Sequence, residues 1–220
     1  MVVMLAPDAS VEQVNLIAPD GRKFASTEVV SGETRVEFAL GTSYAPGTFR
    51  VTSDSGAETS IEIRPELEIL EVGVGANHME RMPDGLGTMQ EEEAYVFVEN
   101  SGNGPVALRD LMFRGDVPNP SPELRESDSR SGIFDLERDS GEVEQVTLLG
   151  RSSITLFSTT IPFSFEGEGR DCKPTPYSGD FTVSLAPSVA GIELESQFEI
   201  RYSGASKYDG CSVTAEGAEE

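Results

Sequence analysis

Tryptophan is absent from these 220 residues, histidine occurs once, and lysine occurs only at Lys23, Lys173 and Lys207. Each shortage removes a class of function. Without tryptophan the chain has no indole platform for a sugar ring, which counts against a glycosidase or a carbohydrate-binding module. The one histidine, His78 in GANHMERMPDG, has no G-x-S-x-G elbow to serve, so no nucleophilic constellation is in view. One histidine and two cysteines 39 positions apart do not make a standard zinc site. Gly73-Val74-Gly75 begins like a dinucleotide loop, but residue 78 is His and no helical pattern follows. No enzyme and no cofactor are expected. Basic residues number 16 against 39 acids, so the clustered cations that hold nucleic acid or an anionic membrane are missing. No run of about 18 apolar residues exists, so no direct membrane insertion is expected. No basic residue precedes Arg22, and MVVMLA is too short for a signal sequence; a soluble chain or a mature exported form is expected. Asn119 is followed by Pro120, and no other asparagine opens a glycosylation sequon.

What the chain has in quantity is carboxylate. The formal charge is −23 and the pI about 4.2. At low salt, self-repulsion of this size opposes compaction. Above about 1 M salt the Debye length falls to roughly 3 Å and the repulsion is screened. An acid-rich, lysine-poor composition of this kind resembles that of proteins from extremely halophilic archaea. Cys172 and Cys211 lie in the loop-like stretches RDCKPTP and YDGCSV, where a bridge is easily made. A disulfide is expected, and with it an oxidising compartment.

Short alternating segments dominate the rest. Val36, Phe38 and Leu40 alternate with polar neighbours, as do Ile61 and Ile63. Phe181, Val183 and Leu185 do the same, and so do Phe198, Ile200 and Tyr202. A period of two marks half-buried strands. Asp20-Gly21, Asp84-Gly85 and Asp209-Gly210 read as hairpin or tight turns. The class is all-β. Arg64-Pro65 divides it, because proline cannot donate to a ladder and holds its predecessor extended. The expected organisation is two tandem immunoglobulin-like β-sandwich domains, over 1–64 and 65–214. A long excursion occupies 115–141, and an acidic tail 215–220.

The second unit opens with LEILEV and continues through EEEAYVFVENSGNGPV, SSITLFSTTIPFSF and GDFTVSLAPS. Within it Val98, Asn100, Gly102 and Gly104 form a V-x-N-x-G-x-G pattern followed by Pro105. This order resembles the cell-adhesion-related immunoglobulin-like domains of prokaryotic surface proteins, often called CARDB. The resemblance covers about 120 residues and implies a non-catalytic module outside the cytoplasm. Asn and Gly in NSGNG are expected to turn the chain by adopting positive φ.

Asp135, Asp139 and Glu142 are the residues best placed for calcium, though they do not fit the EF-hand loop, and a solvated acidic face is the plainer expectation. Met79, Met82, Leu86 and Met89 form an apolar loop cluster suited to binding another protein or to packing under the loop. The sequence points first to an envelope or extracellular module of a halophile that binds other proteins. A spike, turret or decoration protein of a haloarchaeal virus, with self-assembly, stands as the alternative. An uncharacterised hydrolase is the remote one.

Overall fold

Alternation at a period of two becomes fourteen β-strands in the computed structural model, which describes residues 1–7, 10–121, 131–138, 141–165, 172–204 and 211–217. No α-helix occurs among the described residues; three 3-10 segments interrupt the strands. The first six strands are β1 (Val2–Met4), β2 (Gln13–Ile17), β3 (Lys23–Glu28), β4 (Arg35–Glu37), β5 (Gly47–Ser53) and β6 (Glu58–Ile63). They pair among themselves as β1-β4 and β3-β2-β5-β6. Asp20-Gly21 makes the expected turn between β2 and β3, with Gly21 at φ +85°.

The remaining strands are β7 (Leu67–Val74), β8 (Ala94–Asn100), β9 (Val106–Gly115), β10 (Val146–Leu148), β11 (Ser152–Phe157), β12 (Tyr177–Pro187), β13 (Leu194–Ser203) and β14 (Ser212–Gly217). They form a five-stranded sheet, β10-β9-β12-β13-β14, and a three-stranded sheet, β11-β8-β7. All named pairings are antiparallel. Strand pairing therefore divides at residues 64–66, but the apolar core does not. One continuous cluster takes in Leu16 and Phe49 from the first group, Val96 and Val98 from the three-stranded sheet, and Phe113, Phe181 and Ile200 from the five-stranded sheet.

Four expectations change. Asp84-Gly85 makes no tight turn but opens the 3-10 segment Asp84–Glu92. The far arm of the 115–141 excursion returns to the core: Ser131, Ile133, Phe134 and Asp135 are buried, and Leu111 N–H donates to Ser131 O at 2.8 Å. The tail begins later than residue 215, because Ala215 to Gly217 belong to β14 and pair with Ile200 to Phe198. Residues 122–130 of the excursion, Asp209-Gly210 and residues 218–220 lie outside the described residues.

The fourth change concerns NSGNG. Gly102 and Gly104 are not in the positive-φ region. They are glycines because the junction backbone at Gly102, and the Tyr44 side chain at Gly104, occupy the space a Cβ would need. A Cβ on Gly102 would stand 2.3 Å from Arg64 O and 2.5 Å from Glu66 N, and one on Gly104 would stand 1.9 Å from the Tyr44 hydroxyl oxygen. Around this contact the turn binds the joint directly. Asn103 N–H and Gly104 N–H donate to Arg64 O at 3.0 and 3.1 Å, and Ser101 N–H donates to Glu66 O at 2.9 Å. Asn103 Oδ1 accepts from Arg64 N–H at 3.0 Å while its Nδ2 donates to Glu62 O at 2.8 Å. Fully buried Asn100 accepts from Glu66 N–H at 3.1 Å and donates to Gly104 O and Leu149 O at 2.9 and 3.2 Å.

A Gly102→Ala variant is expected to lose about 2–3 kcal/mol, since its methyl group meets backbone and not a side chain that could swing aside. A lowered urea midpoint together with faster cleavage at Glu66 by a glutamate-specific protease would register it.

Candidate functional site

Of the residues singled out for chemistry or contact, His78, Met82 and Leu86 gather about Tyr95 on the β11-β8-β7 sheet. Gly73 and Gly75 place them there. A Cβ on Gly73 would fall 2.0 Å from the Tyr95 ring, and one on Gly75 would fall 1.7 Å from Gln90 O. Their bare backbone lets Tyr95 lie across β7 and lets the 3-10 segment Asp84–Glu92 close over the strand end. The pair that looked like half a dinucleotide loop is thus a packing seat.

Tyr95 is the centre of the arrangement. Its hydroxyl donates to Glu71 Oε1 at 2.6 Å, and Arg81 Nη1 donates to the same oxygen at 2.7 Å. The Arg81 guanidinium lies 4.8 Å from the Tyr95 ring centroid, within cation–π range. His78 meets the ring edge-on at 5.4 Å between centroids, and its Nδ1 is 3.7 Å from Glu80 Oε1. The Tyr95 hydrogen bond, then the Arg81 contact, hold Glu71 below the usual carboxylate range against the opposing effect of burial. Burial and the Glu71 carboxylate push the Tyr95 phenol up to about 12. These groups line a dent of about 330 Å3 with Phe97, Thr155 and Phe157. The three side chains form a half-exposed ion-pair cluster, with its acid ionised and its phenol protonated at neutral pH. Both donors converge on Glu71 Oε1, so that oxygen is already engaged within the cluster.

The methionine cluster separates into two roles. Met82 is buried with Tyr95, Phe134 and Phe157, and Leu86 packs against that group. Met79 and Met89 are 43% and 41% exposed. The first pair holds the 3-10 cover onto the sheet; the second presents apolar surface to solvent. The two described calcium candidates, Asp135 and Glu142, line the same cavity but each is engaged locally. Asp135 Oδ1 accepts from Glu137 N–H and Arg138 N–H at 3.0 and 3.2 Å, while Glu142 Oε1 accepts from the Thr159 hydroxyl at 2.5 Å. Asp139 lies outside the described residues, among which no group of three or more His, Cys, Asp or Glu could hold a metal.

Glu93, at the end of the 3-10 cover, is the residue that sequence patterning does not single out. Its side chain is buried, and Oε2 has no hydrogen-bond partner among the described residues. Desolvation raises its carboxyl from 4.5 to about 7. Between those values the folded chain holds a proton that the unfolded chain has released. Stability therefore rises as pH falls from about 7 toward 4.5, and the full penalty applies above 7. A Glu93→Gln variant is expected to gain on the order of 2 kcal/mol at about pH 8 and almost nothing at about pH 4.5. Urea unfolding at both pH values checks this, and equal effects at the two would refute it.

Two further features complete the inventory. Cys172 and Cys211 are bridged, with Cα atoms 6.1 Å apart, as expected from their loops. A groove of about 560 Å3 runs between the first strand group and the second, walled by Val2, Phe38, Leu40, Ile61, Pro105 and Leu149 among others. No helix among the described residues is long and apolar enough to cross a membrane.

These features define an all-β, disulfide-bonded chain with an apolar groove and a capped sheet face. No protein family and no curated protein matches it. Among the solved structures that align with it are Escherichia coli alpha-2-macroglobulin activated by porcine elastase and the trypsin-activated alpha-2-macroglobulin from Escherichia coli. Each is 17% identical with a TM-score of 0.22 over 91% of this chain. The chain spans only 18% and 14% of those two chains, and a likeness of that TM-score carries no argument about function.

Proposed function

We propose that the chain is a non-enzymatic interaction module working outside the cytoplasm at high salt, built as two immunoglobulin-like β-sandwiches that meet at Arg64-Pro65. The observation that carries this reading is the Cys172–Cys211 bridge in a chain of net charge −23. A structural disulfide suits an oxidising compartment, and a surface so acidic suits a solvent that screens it. The division of strand pairing at residues 64–66 supports the two-sandwich organisation. Engagement of Glu71 Oε1 by both Tyr95 and Arg81 suits a packing and contact role for that cluster.

The location is tested by fractionating the producing cells at native salt and following the protein with its thiol state. Recovery in the envelope or medium with the cysteines bridged is expected. Co-banding with virus particles would move the module to a virion, and recovery in the cytosol with free thiols would sink the reading. The salt requirement is tested separately. The melting temperature is expected to climb steadily between about 0.1 M and about 2 M NaCl as repulsion is screened, and a flat profile would remove the high-salt setting.

A further inference from the structure

We infer that the outer edge of β6 docks an extended segment of a different protein, aliphatic on the side chains that face the groove and basic on those that face solvent. This rests on reading the chain as a protein-binding module and names the surface and the partner chemistry.

The edge is open and its register is defined. β6 lies at the end of the β3-β2-β5-β6 sheet and pairs only with β5. Backbone N–H and C=O of one residue point to the same side of an antiparallel strand, and the side alternates. Asn103 takes Arg64 N–H and Glu62 O on the side away from β5. The same side therefore carries the backbone groups of Ser60 and Glu58. Asn103 imitates the first rung of a next strand and stops; the rungs at Ser60 and Glu58 stand ready for a partner. An unprotected edge of this kind is the template for strand addition.

The side chains supply the specificity. Ile63, Ile61 and Thr59 sit opposite Gly47, Phe49 and Val51, on the core face, while Glu58, Ser60 and Glu62 face outward. Ile61 is 38% exposed where it enters the groove, whose far wall presents Val2 at 48% and Leu149 at 62%. A strand laid beside β6 would drop every second side chain onto this apolar surface. Its other side chains would stand next to Glu58, Ser60 and Glu62. Charge decides between partners. Two copies of this chain joined edge to edge about Ser60 would set Glu58 against Glu62 twice, and would unite two bodies of −23 each. Lysine or arginine at the alternate positions of a foreign strand would instead meet those carboxylates.

The probe is a fluorescent Lys-Val-Lys-Val-Lys-Val-Lys peptide titrated into the intact, disulfide-bonded protein at about 0.15 M and about 2 M NaCl, followed by anisotropy. Saturable binding that persists at the higher salt is expected, with the composition-matched Lys-Lys-Lys-Lys-Val-Val-Val peptide at least about tenfold weaker. Methylating the peptide amides that would bond the edge is expected to cost at least about tenfold without altering the protein. Ser60→Pro removes an outward N–H and no rung to β5, and is expected to weaken binding by a similar factor with an unchanged melting temperature. Equal binding by the scrambled peptide, indifference to amide methylation, or no binding at all would each overturn the inference. Self-association of the protein that Ser60→Pro abolishes would overturn it in favour of a second copy. If a partner cross-linked in the envelope fraction is retained by Ser60→Pro, the edge fails while the module reading stands.

Discussion

Reducing the Cys172–Cys211 bridge is expected to lower stability by about 4 kcal/mol and the melting temperature by roughly 8–16 °C. The bridge closes a loop of 39 positions, so its chief effect is to shorten the reach of the unfolded chain. Its placement adds to this. Cys172 is buried shortly before β12, and Cys211 directly precedes β14, so the link spans β13 and fixes the root of the outermost strand of the five-stranded sheet. Gly204 N–H donates to Lys173 O at 3.0 Å beside it, a contact the bridge keeps in register. Calorimetry with and without a phosphine reductant, compared with a Cys172→Ser/Cys211→Ser double variant, provides the measurement. The two routes should agree. A shift under about 3 °C in both would mean that β14 is held by its ladder to β13 alone.

Asn100→Ala is expected to cost a comparable amount, about 4 kcal/mol. The side chain is fully buried and serves three backbone groups: Glu66 N–H, Gly104 O and Leu149 O. Removal leaves Glu66 N–H and Gly104 O without partners in a site too enclosed for easy solvation, each at a cost of about 1–3 kcal/mol, while Leu149 O keeps the Ser152 hydroxyl at 2.7 Å. Asn100→Asp keeps the acceptor for Glu66 but turns the donor into a carboxylate facing two carbonyl oxygens, so it should be at least as damaging. Asn103→Ala loses bonds of similar length at an exposed position, where water replaces them, and should cost about 1 kcal/mol. The ordering of the three variants by urea midpoint is the test. Asn100→Ala within about 1 kcal/mol of wild type would mean that the glycines, and not the amide, hold the turn.

The strands that sequence patterning picks out are those whose alternation is unbroken. In β12 and β13, Phe181, Val183 and Leu185 alternate with polar residues. Phe181 pairs with Phe198 and Leu185 with Leu194, so both faces are visible in one dimension. β9 escapes notice because a bulge interrupts it. Asp110 sits at φ +56°, the register to β12 slips between Ser184 and Ala186, and the period is lost in the middle of the strand. β10 is three residues long, too short for a period to register. At the site, proximity is what the sequence conceals. Glycine at 73 and 75 is explained by Tyr95 and Gln90, which lie many positions further along the chain. The V-x-N-x-G-x-G pattern locates the residues that bind the joint, but the reason differs from the one that patterning suggests. Local turn chemistry proposes positive φ, whereas the observed requirement is clearance, for the Arg64–Glu66 backbone at Gly102 and for the Tyr44 hydroxyl at Gly104. Glu93 stands in a run of three glutamates that reads as solvated surface. Only the packing of the cover against the strand end withdraws it from water.

The joint at Arg64-Pro65 also decides how the chain handles a load. Arg64 is held by hydrogen bonds at both N–H and C=O, Glu66 at both N–H and C=O, and proline fixes one torsion between them. Few rotations remain free at the crossing. A torque applied to one group of strands is handed to the other through this collar of bonds before the connecting chain can swivel. The connection therefore acts as a brace between the two groups of strands and not as a slack tether.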